Sequence, residues 1–149
     1  MNRPGGVVIL VVEDNPDHAH FTLKGLAEGT GAPRTYWVKD GEEALDFLLH
    51  RRRWADTTTA PRPSLILLDI HLPKLNGHEV LRHVKGDQAL RSIPVIMLTT
   101  SELDDDVAST YRGGANSFVR KPVKFGQFLE EMKRLKEYWT GISVLPVCR

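Results

Sequence analysis

The chain has 149 residues, of which 41% are hydrophobic and 26% are charged, a composition typical of one globular domain with a substantial core. Its 20 Lys and Arg nearly balance its 19 Asp and Glu, so bulk charge gives no argument for binding to nucleic acid or to membranes. Cys148 is the only cysteine, which excludes an intrachain disulfide. The N-terminal apolar run is too short for a signal sequence or a membrane span, and we expect a cytoplasmic protein.

The first apolar run predicts a buried strand that is followed directly by a helix. Residues 7–12 are apolar at every position, as in a strand covered on both faces, and the run ends at Glu13 and Asp14. Asn15 can then cap a helix, and Pro16 suits its first position. The pattern therefore places two acids at the junction between a strand and a helix.

The same alternation of strand and helix continues four more times. The further strands are predicted at 35–38, 65–68, 95–98 and 117–120. Five strands alternating with five helices favour an α/β fold, in which a parallel sheet carries helices on both faces. The predicted caps are a capping box of Asp40 and Glu43 for the second helix, and Ser101 and Asp104 for the fourth. The residues predicted to face the core are Ala44, Leu45, Leu48 and Leu49 in the second helix, Val80, Leu81 and Val84 in the third, and Phe125, Phe128, Leu129, Met132, Leu135 and Trp139 in the fifth.

Polar residues stand at the ends of the predicted strands, at the edge where parallel sheets bind ligands. Glu13 and Asp14 end the first strand and Asp69 ends the third, so their carboxylates converge if these strands are neighbours. Close anions raise each other's pKa unless a cation joins them, and Mg²⁺, which prefers oxygen ligands, is the natural partner. Thr99 adds a hydroxyl and Lys121 adds a positive charge. These are the parts needed to accept a phosphoryl group on Asp69.

The motifs that carry these residues resemble the receiver domains of two-component response regulators. The resemblance covers residues 6–137, which we expect to form the receiver domain, and leaves residues 138–149 as a C-terminal tail. It implies a flavodoxin-like, doubly wound sheet of five parallel strands in the order 2-1-3-4-5, with five helices. The motifs are VVED at Glu13 and Asp14, LLDIHLPKLNG at Asp69, MLTTS at Thr99, and FVRKP at Phe118, Lys121 and Pro122.

The resemblance implies a role for each of these residues. Asp69 is expected to be the phosphoacceptor, supplied by a histidine kinase. The expected cofactor is Mg²⁺, held directly by Asp14, Asp69 and the backbone carbonyl of His71, with Glu13 acting through water. The protein would catalyse only its own Mg²⁺-dependent phosphorylation and dephosphorylation. Thr99 would donate a hydrogen bond to the phosphoryl oxygens, and Lys121 would form an ion pair with them. Phe118 would be the switch aromatic, which turns inward as Thr99 moves.

Finer features resemble the single-domain regulators that pair with bacterial phytochromes. They are DGEEALDFL, the loop at 51–63, RPSLILLDIHLPKLNG, SIPVIMLTTS and YWTGISVLP. This finer resemblance implies a light-regulated histidine kinase as the donor and a homodimer, whereas the wider resemblance to receiver domains implies a cis bond between Lys121 and Pro122. The sequence departs from the common pattern at two positions. His71 stands where an asparagine is frequent, and Phe118 stands where a tyrosine is frequent. The apolar tail residues that we expect to contact a second copy or to fold back are Ile142, Val144, Leu145 and Val147.

Several basic residues have competing interpretations. His18 and His20 lie two apart on the first helix and do not share a face, so we expect exposed side chains rather than a zinc site. We expect the arginines at 51–53 to favour the dipole of the second helix rather than to contact phosphate backbones. About a dozen residues follow the last helix, too few for an attached DNA-binding module, so we expect signalling through protein contacts and no direct DNA binding.

Two other functions compete with the phosphoacceptor hypothesis. A metal-dependent phosphatase with an aspartyl intermediate usually needs a second acid two residues after the nucleophile, and His71 stands at that position. A degenerate receiver could act only as a binding module. The complete set of acids, together with Thr99 and Lys121, argues against this second alternative.

Overall fold

The computed structural model of the chain describes residues 6–29, 31–100, 104–122 and 124–146, and of residues 104–106 the backbone alone. Within these ranges five strands alternate with five helices, and no helix is long and apolar enough to cross a bilayer. The strands are β1 (Val8–Val12), β2 (Arg34–Val38), β3 (Leu65–Asp69), β4 (Val95–Thr99) and β5 (Ser117–Arg120). The helices are α1 (Pro16–Ala27), α2 (Gly41–Leu48), α3 (Gly77–Gly86), α4 (Asp104–Arg112) and α5 (Phe125–Glu137), with a 3₁₀ turn at Arg52–Trp54 and a π-helical turn at Tyr138–Ile142.

The strands form one parallel sheet in the order β2-β1-β3-β4-β5, which confirms the predicted fold class and topology. Strands β1, β3 and β4 are buried at every position, as expected for strands covered on both faces. Val12 pairs with Leu68, so the residues that follow β1 lie beside the end of β3. The register thereby brings Glu13 next to Asp69.

Apolar cores lie on opposite faces of the sheet, because alternate side chains of each strand point to opposite faces. Leu10 and Val12 of β1 pack on the face that carries α2 and α3. Ile9 and Val11 pack on the face that carries α1 and α5. The helices thus cover both faces, and the polar residues at the strand ends collect along one rim of the sheet.

Helix α1 is fixed against α5 at two points. Gly25 allows a close approach, because a Cβ on this residue would stand 2.5 Å from the Cβ of Met132. Lys136 of α5 is buried, and its ammonium donates to the carbonyl oxygen of Glu28, just past the C-terminal end of α1. Carbonyls at a helix end lack intrahelical partners, so this contact satisfies one of them. Together the two contacts fix α1, whose first turn follows the acids at the end of β1.

The predicted helix caps are confirmed in part. The side chain of Asn15 caps α1 by accepting hydrogen bonds from backbone N–H groups of its first turn. At α2, Asp40 Oδ1 accepts from the N–H of Glu43 at 2.7 Å, but the Glu43 carboxylate accepts from Lys39 and not from Asp40. The predicted reciprocal capping of α2 is therefore wrong in its second half. The predicted cap at Ser101 lies outside the described residues.

Two residues predicted to face the core are exposed. Leu49 is 37% exposed because α2 ends one residue before it. Phe125 is 53% exposed, since it begins α5 and its ring stacks on Phe21 of α1 with centroids 4.4 Å apart. Helical periodicity identified the buried stripes of α2, α3 and α5 but not the position at which the core ends.

The tail beyond α5 divides into buried and exposed parts. Leu145 is buried against the domain, whereas Ile142 is 75% exposed and Val144 is 94% exposed. Trp139 packs against the core that carries α1 and α5. Val147, another apolar residue of the predicted tail surface, and Cys148 lie outside the described residues.

Candidate functional site

Three carboxylates meet at the rim formed by the ends of β1 and β3. Glu13, Asp14 and Asp69 each offer an oxygen atom, and these oxygens lie within 4.8 Å of one another. Glu13 and Asp69 are buried, whereas Asp14 is exposed. The cluster predicted from the strand ends is therefore assembled, with one open side towards solvent.

A buried ammonium lies between two of these acids. Lys121 follows β5, and its backbone N–H donates to the carbonyl oxygen of Thr99 at 2.8 Å. Its Nζ donates to Asp69 Oδ2 at 3.0 Å and to Glu13 Oε1 in a very short contact. Because the ammonium is buried, its attraction to these carboxylates is screened less than in a surface pair, but burial also makes the charged forms costlier.

Burial also controls the ionisation of the site. Desolvation raises the pKa of Glu13 from 4.5 to about 7; Lys121 opposes this rise, and the neighbouring Asp69 adds to it. For the imidazole of His18, burial and then the positive charge of Lys121 lower the pKa below its usual value. Without a further cation, Glu13 therefore gives up its proton only near neutral pH.

The donor set fits a hard divalent cation. Mg²⁺ takes oxygen ligands in octahedral geometry, commonly from one or two carboxylates together with water and phosphate oxygens. The three acids supply carboxylate oxygens, and the exposed side of Asp14 leaves room for water. A bound dication would also offset the repulsion and desolvation that raise the pKa of Glu13.

The loop after β3 closes tightly under Asp69. The N–H of Gly77 donates to the carbonyl oxygen of Ile70 at 2.7 Å, and α3 begins at this glycine. A Cβ on Gly77 would stand 2.2 Å from the carbonyl oxygen of Asp69, so only a residue without a side chain fits this position. His71, whose backbone carbonyl is a predicted metal ligand, has an exposed side chain, and its N–H lies 3.4 Å from Asp69 Oδ1.

The other predicted site residues lie on the adjoining strands. Thr99 is fully buried at the end of β4. Phe118 of β5 is half-buried against the core that carries α2 and α3, and its N–H donates to the hydroxyl of Tyr111 on α4 at 3.2 Å. The predicted cis bond before Pro122 is wrong, since no peptide bond in the described ranges is cis. The preference of an X–Pro bond for trans is small, so sequence alone did not determine the isomer.

His18 is a site residue that the sequence analysis did not find. Its Nδ1 lies 3.2 Å from Lys121 Nζ and 4.0 Å from Glu13 Oε1, and its side chain is only 27% exposed. The prediction of an exposed His18 is therefore wrong, whereas His20 is exposed as predicted. The available signal was position, because the cap at Asn15 starts a helix directly after the acids and places His18 in its first turn.

Trp37 of β2 is a second residue that the sequence analysis missed. Its indole Nε1 donates to the carbonyl oxygen of Glu13 at 2.7 Å, and the backbone N–H of Glu13 donates to the carbonyl oxygen of Val38 at 3.1 Å. These bonds fix the backbone at the junction where β1 passes into the acidic cluster. No local pattern indicated this contact, since Trp37 is 24 residues from Glu13.

The arginines at 51–53 are engaged with α2. They form ion pairs with acidic side chains of α2, in addition to any effect on the helix dipole. Because their charges are already paired, the structure does not favour a contact with phosphate backbones. The pairs are Arg51 Nε to Asp46 Oδ1 at 3.1 Å, Arg52 Nη1 to Glu42 Oε1 at 2.6 Å and Arg53 Nε to Glu43 Oε2 at 3.3 Å.

Comparison with known proteins identifies relatives across most of the chain. The family model described as the response regulator receiver domain matches residues 9–133. The probable methanogenesis regulatory protein FilR2 of Methanothrix harundinacea is 40% identical over 139 residues, which cover 93% of this chain and 87% of that protein. Response regulator Rcp1 of Synechocystis is 33% identical over 139 residues, which cover 93% and 92% of the two proteins.

Solved structures with the same fold include two cyanobacterial response regulators. The phosphorylated cyanobacterial phytochrome response regulator RcpA matches with a TM-score of 0.89 at 35% identity, covering 95% of this chain and 99% of that chain. The Mn²⁺-bound form of Rcp1 matches with a TM-score of 0.88 at 33% identity, with the same coverage of 95% and 99%. The acidic pocket of this family binds divalent metal, in agreement with the cluster at Glu13, Asp14 and Asp69.

Proposed function

The chain belongs to the family of response regulator receiver domains, and on this basis we propose that Asp69 accepts a phosphoryl group from a histidine kinase. The observation that carries the proposal is the buried ammonium of Lys121, 3.0 Å from Asp69 Oδ2 and within the same acidic cluster. A carboxylate presented beside a fixed cation and a metal-binding set of oxygens is suited to receive a group whose transfer depends on positioning and on charge neutralisation.

In this proposal Asp69 is the nucleophile. One carboxylate oxygen forms a bond to phosphorus as the bond between phosphorus and the donor's imidazole nitrogen breaks, which leaves an acyl phosphate and a free histidine. Lys121 keeps the other oxygen in place and pairs with the phosphoryl group as negative charge accumulates there. Thr99, at the end of the adjacent β4, donates its hydroxyl to a phosphoryl oxygen.

We propose Mg²⁺ as the cofactor of this transfer. Asp14, Asp69 and the backbone carbonyl of His71 would hold it directly, and Glu13 would act through water. When bound, the ion supplies positive charge that offsets the charge of the incoming phosphoryl group. Asp14 is the exposed acid of the cluster, which gives the ion a route of entry from solvent.

The decisive experiment is to replace the phosphoacceptor. We expect Asp69→Asn to abolish uptake of label from a phosphorylated kinase or from phosphoramidate, with the fold retained, while Asp56→Asn in an exposed loop leaves uptake unchanged. The label in the wild-type protein should be released by hydroxylamine, as expected for an acyl phosphate. Uptake by Asp69→Asn would refute the assignment, and rapid turnover of a small phosphate ester would indicate a metal-dependent phosphatase instead.

We further propose that the donor is a phytochrome-type histidine kinase in the cytoplasm. The support is the match to the cyanobacterial phytochrome response regulator RcpA over 95% of this chain. FilR2, described as a probable methanogenesis regulatory protein, suggests a kinase with a different input as the competing donor. Transfer rates from a purified phytochrome-type kinase and from an unrelated histidine kinase would decide the matter, with equal rates counting against the proposal.

We propose finally that residues 138–149 contribute to a homodimer and that the phosphorylated receiver signals through protein contacts. The support is the exposed apolar surface beyond α5, where Ile142 and Val144 are 75% and 94% exposed. Tyr138, at the start of the π-helical turn, is 50% exposed. Apolar side chains that remain exposed together are typical of a surface that a partner covers.

A further inference from the structure

We propose that His18 is a positioning residue, which holds the Lys121 ammonium in place for its contact with Asp69 and with the phosphoryl group. This inference rests on the proposed function for its effect on phosphoryl transfer, but the contact itself does not. The carrying observation is the distance of 3.2 Å between His18 Nδ1 and Lys121 Nζ at the rim of the acidic cluster.

The donors and acceptors around Lys121 determine which atom carries the proton. A lysine ammonium has three N–H donors and no acceptor. Three acceptor atoms surround Nζ, namely Glu13 Oε1, Asp69 Oδ2 and His18 Nδ1. His18 must therefore offer the lone pair of Nδ1 and carry its proton on Nε2. With this arrangement each N–H of the ammonium has its own acceptor.

The ring of His18 is itself held from two sides. Its backbone N–H donates to Asn15 Oδ1 at 3.2 Å, which places the residue in the capped first turn of α1. The ring lies against Phe128 of α5, with centroids 6.0 Å apart and an interplanar angle of 46°. Phe128 is fully buried, so it provides a firm surface behind the imidazole. His18 thus joins a flexible lysine side chain to the rigid packing of α1 on α5.

The third acceptor matters most after transfer. Lysine has a flexible four-carbon chain, and Lys121 follows β5, which lies at the edge of the sheet. When Asp69 is phosphorylated, the contact of the ammonium with its carboxylate must be shared with the phosphoryl oxygens. His18 and Glu13 remain as acceptors in fixed positions. The Lys121 side chain therefore keeps its rotamer when the phosphoryl group adds negative charge nearby.

The first test uses two substitutions at His18 and one matched control. Asn places its Oδ1 close to the position of Nδ1 and keeps an acceptor there, whereas Leu fills similar space without one. We expect His18→Leu to lower the rate of phosphorylation by phosphoramidate at saturating Mg²⁺ by about fivefold, the size expected for one partly exposed charge-assisted hydrogen bond. We expect His18→Asn to stay within about twofold of wild type by the same reasoning. His20→Leu, on the exposed side of α1, should leave the rate unchanged.

The second test observes the ammonium directly, in metal-free and unphosphorylated protein. With ¹⁵N in the lysine side chains, the Lys121 ammonium should give a protected ¹H–¹⁵N signal, identified by its loss in Lys121→Met. We expect this signal to shift or broaden in His18→Leu and to persist in His18→Asn. This readout does not depend on phosphoryl transfer. If the wild-type protein took no phosphate, the proposed function would be wrong, but the NMR signal would still show whether His18 holds the ammonium.

Two results would overturn the inference. One is a Lys121 signal that is the same in His18→Leu as in wild type, because the imidazole would then not hold the ammonium. The other is an equal loss of rate in His18→Leu and His18→Asn, because a side chain that keeps the acceptor would not rescue the defect and the role of His18 would be packing against Phe128.

Discussion

The carbonyl oxygen of Asp69 and the α-carbon of Gly77 lie so close that a Cβ on the glycine would stand 2.2 Å from that oxygen. The same Cβ would stand 2.7 Å from the α-carbon of Ile70. These neighbours are backbone atoms, so they cannot move aside as the tip of a flexible side chain could. The loop from β3 to α3 can therefore pack this tightly only when residue 77 has no side chain. Asp69 stands at the start of that loop, so its position depends on the packing.

We expect Gly77→Ala to destabilise the protein and to slow phosphorylation. The added methyl group must push the loop away from Asp69, and overpacking of this kind costs about 1–3 kcal/mol in the free energy of unfolding. The shift would also move the carboxylate relative to Lys121, so the rate with phosphoramidate should fall. Urea unfolding measures the first effect and label uptake the second.

Gly86 provides the control for this substitution in the same helix. A Cβ on Gly86 meets nothing within 4 Å among the described residues. Gly86→Ala is therefore expected to be neutral or to stabilise the protein by up to about 1 kcal/mol, because alanine favours helix more than glycine does. Equal destabilisation by both substitutions would show that space beside Asp69 is not the reason for the glycine.

The raised pKa of Glu13 predicts how stability depends on pH without metal. The unfolded state loses this proton near 4.5, whereas the folded state keeps it until about 7. Between these values the folded state binds more protons, so the free energy of unfolding contributed by Glu13 falls as pH rises through this interval. Each unit of pKa shift corresponds to about 1.4 kcal/mol, so the total is on the order of 3 kcal/mol.

Urea unfolding of wild type and Glu13→Gln over this pH range, in the presence of a chelator, isolates the effect. Other groups titrate in both proteins, including His18, whose lowered pKa acts in the opposite direction. The stability of wild type relative to Glu13→Gln should therefore decrease as pH rises from 4.5 towards 7. Excess Mg²⁺ should reduce this decrease, because a cation favours ionised carboxylates. A difference that rises with pH would contradict the assignment.

The acidic site was predictable because its residues are fixed by strand ends. Buried parallel strands are continuous apolar runs, so the first polar residue after each run marks the rim of the sheet. Glu13 and Asp69 were located in this way, and the strand order inferred from the family resemblance made them neighbours.

His18 and Trp37 were not predictable by the same reasoning, because their roles depend on how elements pack. The ring of His18 reaches Lys121 because the close packing of α1 on α5 turns that side of the helix towards the site. Trp37 reaches the Glu13 carbonyl from the neighbouring strand β2. Neither the rotation of a helix about its axis nor the reach of a side chain between strands is encoded in local periodicity.

The aromatic residues of α5 separate a core position from a surface position. Phe128 is 1% exposed, whereas Phe125 is 53% exposed and stacks on Phe21. We expect Phe128→Ala to lower the free energy of unfolding by about 3–5 kcal/mol, as for other large-to-small core substitutions. Phe125→Ala should cost only about 0.5–1.5 kcal/mol, the usual value of an aromatic pair.

Chemical denaturation of both variants measures this contrast, with Phe21→Ala as the control for the stacked pair. If the cost of Phe125→Ala comes from stacking, Phe21→Ala combined with Phe125→Ala should cost less than the sum of the two single substitutions. Similar costs for Phe125→Ala and Phe128→Ala would instead place Phe125 in the core, as its helical spacing first indicated.

The exposed residues beyond α5 give a direct test of the proposed homodimer. Ile142 and Val144 expose most of their side chains, so replacing both by Asp removes little intramolecular packing but introduces charge and a desolvation cost at a paired surface. We expect the double variant to sediment as a monomer at concentrations at which the wild type is dimeric, with an unchanged melting temperature in the dilute, monomeric regime. Leu49→Asp, another exposed apolar position located at the end of α2, should leave the association unchanged. A wild type that is monomeric at high concentration, with or without phosphorylation, would rule out this role of the tail, and equal weakening by Leu49→Asp would place the contact elsewhere.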